Sequence, residues 1–402
     1  MATADPTRTA NRSLVLSVVL SGGLLDRNQI TAGSGLSRAT VFRMVDELRA
    51  SGLAEETELE PPSGPGRPPV GIRAIAGARR VCGVDLGGSQ CRFVAADLLG
   101  RPMARSQHRT PHDLDGPGLA SWIAARVADL DGHDQSSLGA VAIGLPGALS
   151  GDNARVVASQ NLPPIRGTAF IEALQDDLAA PVSLENDSNL ALLGELRYGS
   201  LGSSDTVSLL AIGTGLGSAA AIDGIILRAQ DGRLGEFGRL NLPGSKTRIR
   251  DLVSGAGLVA YAQQSGFDIT DAREVLIAPE RFGGLHRQVV EALEHLVAIV
   301  ALAYEPSSIL ITGGFSHGLD DGLLQRVSQD VSEEVGIKVD LRRTSLGDHA
   351  ALYGALALGV RGLYGALGVL PEHLGLIDVD RRAVTELFER AGVAEGADDD
   401  AG

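Results

Sequence analysis

A glycine turn between two apolar strands constrains the fold of this chain more than any other stretch. Residues 81–93 have the pattern of a β-branched strand, a tight turn at Gly87-Gly88 and a second strand. Glycine permits positive φ at such a turn and leaves backbone amides free to approach a phosphate. Asp85 ends the first strand, where a carboxylate can hold a metal–phosphate group or a hydroxyl. Ordinary hairpins also contain Gly-Gly, so the neighbouring segments decide the interpretation.

The length and charge of the chain limit the classes of protein it can belong to. Its 402 residues predict two or three domains. The formal net charge of −15 argues against non-specific nucleic-acid binding by the whole chain. Residues 1–75 are balanced, with eight arginines and eight acidic residues, which is compatible with a local DNA-reading element. We expect a cytoplasmic protein, since the sequence shows no signal peptide, no membrane-spanning apolar run and no disulfide framework.

The first 75 residues have the pattern of a winged helix-turn-helix domain. Ser37 is a suitable N-cap for a helix over 38–50, in which apolar residues recur at i, i+3, i+4 and i+7 from Val41. Three-helix modules of this pattern bind DNA and also serve as dimerisation units, and both readings stay open. The helix face opposite the apolar one is expected to meet DNA and carries Ser37, Arg38, Thr40 and Arg43.

Two further residues of this segment have alternative roles. Pro65 to Pro69 is a stiff, extended stretch that presents Arg67 outward. Such an arginine suits a narrow minor groove, and a rigid linker explains the stretch equally well. Phe42 lies off the apolar face, so it either contacts a thymine methyl group or packs under the wing.

From Arg80 onward the sequence alternates strands and helices, which predicts an α/β body. Asn186 and Asp187 follow a predicted strand and open an Ala/Leu-rich helix, a position where α/β proteins bind ligands. A polar helix cap is the alternative for a single residue there, but the pair favours a site. A second glycine hairpin turns at residues 213–217, and a third glycine pair, Gly313-Gly314, ends a strand. The two hairpins suggest a duplication with a nucleotide-sized cleft between two lobes.

Together these motifs resemble the ROK family (repressors, open reading frames, kinases) over residues 10–380, in its transcriptional-regulator branch. The resemblance implies an α/β fold of the actin/hexokinase-like two-lobed ATPase type, preceded by the winged helix-turn-helix domain. It implies that Asp187 is the general base of a kinase and that the sugar or effector is bound by Asn161, Asn186, Asp187, Glu236 and Arg239. The nucleotide-binding residues it implies, if that function is retained, are Asp85, Gly87, Gly88, Ser89, Gly213, Thr214, Gly215, Gly313 and Gly314.

The chain departs from the family pattern around the expected sugar pocket. Arg239 replaces the family histidine, and Arg250 stands where the family has a second sugar-binding glutamate. Residues 243–248 contain no cysteine in place of the zinc loop, so we expect no zinc and no other metal site. An arginine in a cleft needs a negative partner. That partner is either internal, as for Arg239 with Glu236 and Arg250 with Asp251, or an anionic group of the effector.

We expect a winged helix-turn-helix domain and linker at residues 1–75 and a first α/β lobe at 76–190. A second lobe is expected at 191–380, and a C-terminal helix end with an acidic, disordered tail at 381–402.

The favoured function is that of a DNA-binding transcriptional regulator, as a repressor, that senses a sugar or sugar derivative and requires no cofactor. The alternative is an active ATP-dependent, glucokinase-like sugar kinase that uses ATP and Mg²⁺ and carries a DNA-binding head. A carbohydrate-binding scaffold is a third, weaker reading. Expected partners are operator DNA and the effector, without a membrane. We expect a homodimer or homotetramer on a near-palindrome with half-sites about one or two helical turns apart.

Overall fold

The computed structural model describes residues 5–58, 70–130, 137–201, 206–230, 232–377, 381–390 and 393–395. Arg67 and the proline-rich stretch around it lie outside the described residues.

Residues 5–58 and 70–74 form a small helical unit with a three-stranded antiparallel sheet, here called the head. Each helix starts at a side chain that caps free backbone amides. The Asp26 carboxylate and the Gln29 amide form a capping box, and Ser37 Oγ accepts a hydrogen bond from Thr40 N at 3.2 Å. The two wing strands pair with the short β1 in the order β1-β3-β2. The elements are α1 (Pro6–Ser21), β1 (Leu25–Asp26), α2 (Arg27–Ser34), α3 (Arg38–Ala50), β2 (Ala54–Glu58) and β3 (Val70–Ala74).

The first lobe contains a sheet in the order β10-β7-β4-β5-β6-β16. Strands β4, β7 and β10 run parallel, so their carboxyl ends meet at one edge, and β4, β5 and β6 form an antiparallel meander. The elements are β4 (Arg80–Leu86), β5 (Gln90–Asp97), β6 (Pro102–Arg109), α4 (Gly116–Asp129), β7 (Leu138–Leu145), β8 (Ala148–Leu149), β9 (Val156–Ala158), α5 (Ala169–Asp177), β10 (Val182–Asn186) and α6 (Asp187–Tyr198).

The second lobe repeats this topology in a sheet of order β13-β12-β11-β14-β15. As in the first lobe, the first three strands, β11, β12 and β13, are antiparallel neighbours. The two later strands, β14 and β15, run parallel to β11 and lie on its other side. This agreement supports the duplication expected from the two glycine hairpins. The elements are β11 (Val207–Ile212), β12 (Leu216–Ile222), β13 (Ile225–Ile226), α7 (Ile249–Leu252), α8 (Gly255–Gln264), α9 (Arg273–Ile277), α10 (Pro279–Phe282), α11 (Gly284–Tyr304), β14 (Ser308–Thr312), α12 (Asp321–Val335) and β15 (Leu341–Arg343).

The C-terminal elements return from the second lobe to the first. They are α13 (Ala350–Ala366), α14 (Pro371–Leu374), α15 (Arg381–Arg390) and β16 (Val393–Glu395). Strand β16 pairs in parallel with β6, so the expectation of a disordered tail is wrong for these three residues. The remaining tail residues lie outside the described residues. Within the described ranges no helix is both long enough and apolar enough to cross a bilayer.

The backbones of helices α6 and α13 are in direct contact, because each helix has a glycine at their interface. A Cβ atom at Gly354 would overlap the carbonyl oxygen of Leu190, and one at Gly194 would overlap that of Ala350. Helix α13 also lies on strand β4, where a Cβ at Gly83 would come within 2.8 Å of Leu356 N. The N-terminus of α6, where Asp187 stands, is therefore fixed relative to both α13 and the first sheet.

The head is attached to the body through the loop that follows α13. Arg12 Nη1 donates to the carbonyl oxygen of Leu367 at 2.6 Å. Ser13 Oγ accepts from Leu370 N at 2.8 Å and lies 2.7 Å from His373 Nδ1, so the hydroxyl proton is free to go to the imidazole. One apolar cluster, which includes Val15 and Leu356, continues from the head core into the body. Head and body are thus in direct contact.

Replacing Gly354 by alanine is expected to lower the free energy of unfolding by more than about 2 kcal/mol, because overpacking at a backbone contact forces the two helices apart. Gly365 in the same helix is the matched control, since a Cβ there meets nothing within 4 Å. Alanine at Gly365 should be neutral or stabilising by about 0.5–1 kcal/mol. Urea unfolding of both variants checks this, and equal midpoints would show that the α6–α13 contact is not tight.

Candidate functional site

The exposed face of α3 carries the residues expected to contact DNA, except for Arg67. Arg38 and Arg43 are both exposed, and Arg38 Nη2 donates to Asn28 Oδ1 of α2 at 2.6 Å. The hydroxyl groups of Ser37 and Thr40 lie 2.9 Å apart at the helix start. Thr40 is therefore engaged in the cap, whereas the two arginines point a positive charge away from the head core.

Sequence reasoning missed the contribution of α2 to this face. Phe42 is 46% exposed, and the Arg27 guanidinium lies 4.3 Å from its ring centroid. Arg27 also pairs with Glu56 of the wing at 2.8 Å. Phe42 therefore presents an open ring edge beside Arg43 instead of packing under the wing. The helical period alone placed Phe42 off the apolar face, but only the fold brings Arg27 and Asn28 next to it.

The first glycine hairpin closes as expected, but its carboxylate is occupied. Gly87 N donates to Gln90 O at 2.9 Å, and this register sets Asp85 opposite Arg92. Arg92 Nη1 donates to Asp85 Oδ2 at 3.1 Å, while Arg92 Nε donates to Gln107 Oε1 at 3.2 Å. Burial raises the pKa of Asp85, and the Arg92 charge opposes that rise. The guanidinium is held by two strands and shields the carboxylate.

This arrangement does not fit the metal–nucleotide that a kinase of this fold would bind. A magnesium ion bound through Asp85 would stand beside the fixed positive charge of Arg92, from which that carboxylate already accepts a hydrogen bond. The described residues contain no group of three or more His, Cys, Asp or Glu side chains placed to hold a metal ion. The expectation of a chain without zinc stays a prediction.

Asn186 and Asp187 stand where α6 begins, at the carboxyl end of β10. Asn186 Oδ1 accepts from Ser188 N at 3.0 Å and from Asn189 N at 3.2 Å, and its Nδ2 donates to Gly147 O at 2.9 Å. The Asn186 side chain thus serves as a helix cap and a loop anchor. Asp187 Oδ1 accepts from Ser188 N at 2.7 Å, which leaves Oδ2 for a ligand.

The Asp187 carboxylate has a strongly raised affinity for protons. Burial and then the nearby negative charge of Asp85 raise its pKa to about 7, against the backbone and hydroxyl hydrogen bonds from Ser188 that lower it. A carboxyl group with such a pKa exchanges its proton near neutral pH. It can therefore accept a hydrogen bond from a sugar hydroxyl when ionised, or donate one when protonated.

The second hairpin faces the first across Asn161. Gly213 N donates to Gly215 O at 3.0 Å, and α8 is tied to the hairpin by hydrogen bonds from Gly255 N to Gly213 O (2.7 Å) and from Ala256 N to Thr214 O (3.1 Å). At the end of β14, Gly313 has φ of +92° and a Cβ there would lie 2.6 Å from Ile212 O, so only glycine fits beside this hairpin. Gly314 follows it and is exposed.

Asn161 is exposed and lies between the two hairpins. A Cβ at Gly88 would be 3.2 Å from Asn161 Cβ, and one at Gly215 would be 3.4 Å from Asn161 Nδ2. Ser89, at the tip of the first hairpin, is exposed as well. The structure therefore brings Asn161 and both hairpins together.

The loop that resembles the family's sugar signature carries an internal ion pair. Arg239 Nε donates to Glu236 Oε2 at 3.0 Å, and both side chains are partly exposed. Arg250 behaves differently: its Nη1 donates to the amide Oε1 of Gln160 at 2.7 Å. The internal partner expected for Arg239 is thus present.

Another ion pair supports the start of α6. Glu185, buried at the end of β10, accepts from Arg228 Nε at 2.6 Å and from Asn189 Nδ2 at 2.9 Å. Arg228 and Gln160 were not recognised from the sequence, because each lies in a loop that carries no motif. The pairing of Arg92 with Asp85 could have been recognised from the sequence. In a hairpin that turns at Gly87-Gly88, residues counted outward along the two strands place Arg92 opposite Asp85.

The repeated lobes, with glycine hairpins facing a carboxylate at a helix N-terminus, define an α/β fold of the sugar-kinase class. The model of the ROK family matches residues 81–361. This chain belongs to the ROK family.

Curated relatives in this family include both enzymes and repressors. The bifunctional enzyme NanE/NanK of Brucella melitensis is 29% identical over 286 residues, which cover 69% of this chain and 53% of that protein. The xylose repressor of Caldicellulosiruptor bescii is 26% identical over 240 residues, 58% of each chain. This chain thus spans little more than half the length of these relatives. Other matching relatives are named glucokinase.

A solved ROK family transcriptional regulator, described as a homologue of the E. coli MLC protein, has the same fold. Its TM-score is 0.69 at 20% identity, and the match covers 93% of this chain and 99% of that chain. The expectation of an actin/hexokinase-like α/β fold is thereby confirmed, and the described N-terminal segment is helical as expected.

Replacing Asp187 by asparagine is expected to raise the melting temperature more at pH 8 than at pH 5, and to change it little below about pH 4. Because the pKa of Asp187 rises from 3.8 to about 7 on folding, the folded chain binds this proton more tightly than the unfolded chain. The stability it contributes is complete below about pH 4 and is lost as the pH rises through about 7. Asparagine cannot ionise, so it removes that loss.

One pKa unit corresponds to about 1.4 kcal/mol, and after allowance for partial exposure we expect a gain of at least about 1 kcal/mol, or about 2 °C, at pH 8. Thermal melts at the two pH values measure it. The same change at the exposed Asp268 is the control. A pH-independent difference for Asp187→Asn would contradict the raised pKa.

Proposed function

We propose that this protein is a DNA-binding transcriptional regulator, acting in the cytoplasm as a repressor, whose kinase-like body binds a sugar or sugar derivative. The observation that carries the proposal is the pair of exposed arginines, Arg38 and Arg43, on a capped helix of a winged three-helix head. The family contains repressors, and the structural match to a ROK regulator extends over the head. We propose the domain boundaries 1–75, 76–190, 191–380 and 381–402 with it.

The charge distribution supports local, specific contact with DNA. The body is acidic and repels the phosphate backbone, so binding depends on the arginines of the head. Asp46 and Glu56, which flank the exposed face, are both paired with Arg27 and Arg49. Arg43 has no hydrogen bond or ion pair with any described residue and is available to a base edge. Arg67 is proposed to reach the minor groove.

The contacts between head and body supply a route by which an effector changes DNA binding. The ligand side of the cleft is at the N-terminus of α6, which packs against α13, and the loop after α13 holds α1 through Ser13. We propose that a shift of α13 on effector binding moves the head as well. The head and the body are joined both by hydrogen bonds and by one continuous apolar cluster. We propose a homodimer or homotetramer bound to a near-palindromic operator.

The effector site is proposed to use the polar groups that face the cleft. Asn161 and Asp187 have oxygen or nitrogen atoms without a hydrogen-bond partner among the described residues, and Glu236 is exposed. These groups suit hydroxyls of a sugar. Asn186 acts by holding the α6 start in place.

The alternative, an ATP-dependent sugar kinase with a DNA-binding head, is favoured by two observations. Asp187 has the raised pKa of a general base, and both glycine hairpins are retained. The Arg92–Asp85 ion pair disfavours the kinase alternative. Phosphoryl transfer needs a metal ion to neutralise the phosphate charge, and the Asp85 carboxylate that would hold the metal is already paired with Arg92. In this alternative the same residues would bind ATP and Mg²⁺.

Replacing both Arg38 and Arg43 by alanine is expected to weaken specific DNA binding by about 100-fold or more. Each bidentate arginine–guanine contact contributes about 1–3 kcal/mol of discrimination. The measurement is gel retardation of a duplex that the native protein selects from a random-sequence library. Arg273→Ala with Arg382→Ala removes the same charge from exposed positions on the body and is the control. Unchanged affinity of the Arg38/Arg43 variant would exclude α3 as the reading helix.

ATP consumption by the native chain, with a panel of hexoses and amino sugars, is expected to stay at the background rate. Asp187→Asn should leave DNA binding nearly intact, since Asp187 lies in the cleft and not in the head. Sugar-dependent turnover by the native chain that disappears in Asp187→Asn would place the kinase alternative first.

A further inference from the structure

Arg250 stands where three segments around the cleft meet. Its Nη1 donates to Gln160, the neighbour of Asn161. A Cβ at Gly238, in the loop of Glu236, would lie 3.1 Å from Arg250 Cβ. Helix α7, which carries Arg250, leads directly into α8, and α8 is hydrogen-bonded to the second hairpin. The side chain is 32% exposed, so part of it remains accessible to a ligand beside Gln160.

The charge of Arg250 is poorly compensated in comparison with the other arginines described around the cleft. Arg92, Arg228 and Arg239 lie 3.1, 2.6 and 3.0 Å from a carboxylate oxygen. The nearest carboxylate recorded for Arg250 among the described residues is that of Asp251, with Nε and Oδ1 4.0 Å apart.

Asp251 itself has another task, and Gln160 brings no charge. Asp251 Oδ2 accepts a hydrogen bond from Arg248 N at 2.9 Å, which caps the start of α7. The short bond from Arg250 to Gln160 fixes the direction of the guanidinium without neutralising it. A partly buried positive charge in this state favours an anion, and the planar group offers paired donors to a carboxylate or phosphate.

We propose that Arg250 binds the anionic group of the effector, so that the effector is a sugar acid or a sugar phosphate and not a neutral sugar. This inference rests on the proposed function, because it assigns a ligand class to the same cleft. Asn161 and Glu236 then contact the hydroxyl groups, while Arg250 contacts the carboxylate or phosphate. Arg239 is not the anion-binding residue, since Glu236 neutralises it.

The test is calorimetric titration of the full-length native protein with matched compounds: glucose, glucose 6-phosphate, gluconate, glucuronate and inorganic phosphate. We expect at least one anionic sugar to bind 10-fold or more tightly than glucose. The 6-phosphate and the two acids distinguish a phosphate from a carboxylate. Inorganic phosphate is expected to bind more weakly than the anionic sugar, because it lacks the hydroxyl contacts.

Arg250→Gln keeps a hydrogen-bonding side chain and removes the charge, and it should reduce the preference for the anionic sugar at least 10-fold. Arg250→Lys keeps the charge, loses the planar fork and should fall between the two. Arg273→Gln removes one charge from an exposed position on the body, is the control, and should leave the preference within about twofold of the native value. Melting curves and DNA retardation verify that each variant is folded.

The outcomes separate this inference from the proposed function. Equal binding of glucose and its anionic counterparts, or a preference that survives in Arg250→Gln, overturns the role of Arg250 while the regulator remains. Absence of binding by every sugar, neutral or anionic, overturns sugar sensing and this inference together. Loss of the preference in Arg273→Gln as well as in Arg250→Gln also overturns it, because the effect would then follow the overall charge of the body and not Arg250.

Discussion

The close contact between α6 and α13 is the interaction on which the rest of the structure depends. The two helices approach at backbone distance at Gly194 and Gly354, and α13 at the same time covers the first sheet at Gly83. The position of Asp187 in the cleft and the position of the loop that holds the head are therefore set by one helix pair. Packed interfaces of this kind move as units because they are not continuously deformable. A binding event at the α6 N-terminus is thus connected to the head by rigid elements.

The charges of the cleft support the proposed role in ligand recognition. Arg92 occupies the carboxylate of the first hairpin, and Asp85 in turn raises the pKa of Asp187. The two glycine turns lie on either side of Asn161, while the Arg92 guanidinium pairs with the carboxylate beside the first turn. A fold that serves catalysis in some relatives can serve binding here without any change in topology.

Much of the fold was predictable because its signals are local. The helix cap at Ser37, the turn at Gly87 and the strand ending at Thr312 are each set within a few residues, and the structure has them at or near the expected positions. The tail was misjudged, since its three-residue strand at 393–395 is stabilised only by pairing with β6, which is distant in sequence. Local composition carries no information about such a partner.

The sequence by itself determined the element types, the hairpins and the residues that could act, because hydrophobic period, turn chemistry and helix capping act over short distances. The tertiary structure decided which of those residues remain free. In the folded chain Asp85 pairs with Arg92, and Glu236 pairs with Arg239. Asn186 caps helix α6, and Arg250 contacts the neutral amide of Gln160. The physical reason is that these contacts depend on side-chain distances of about 3–4 Å, which only folding sets. The contact of Arg250 with Gln160 joins positions 90 residues apart, so no local pattern could predict it.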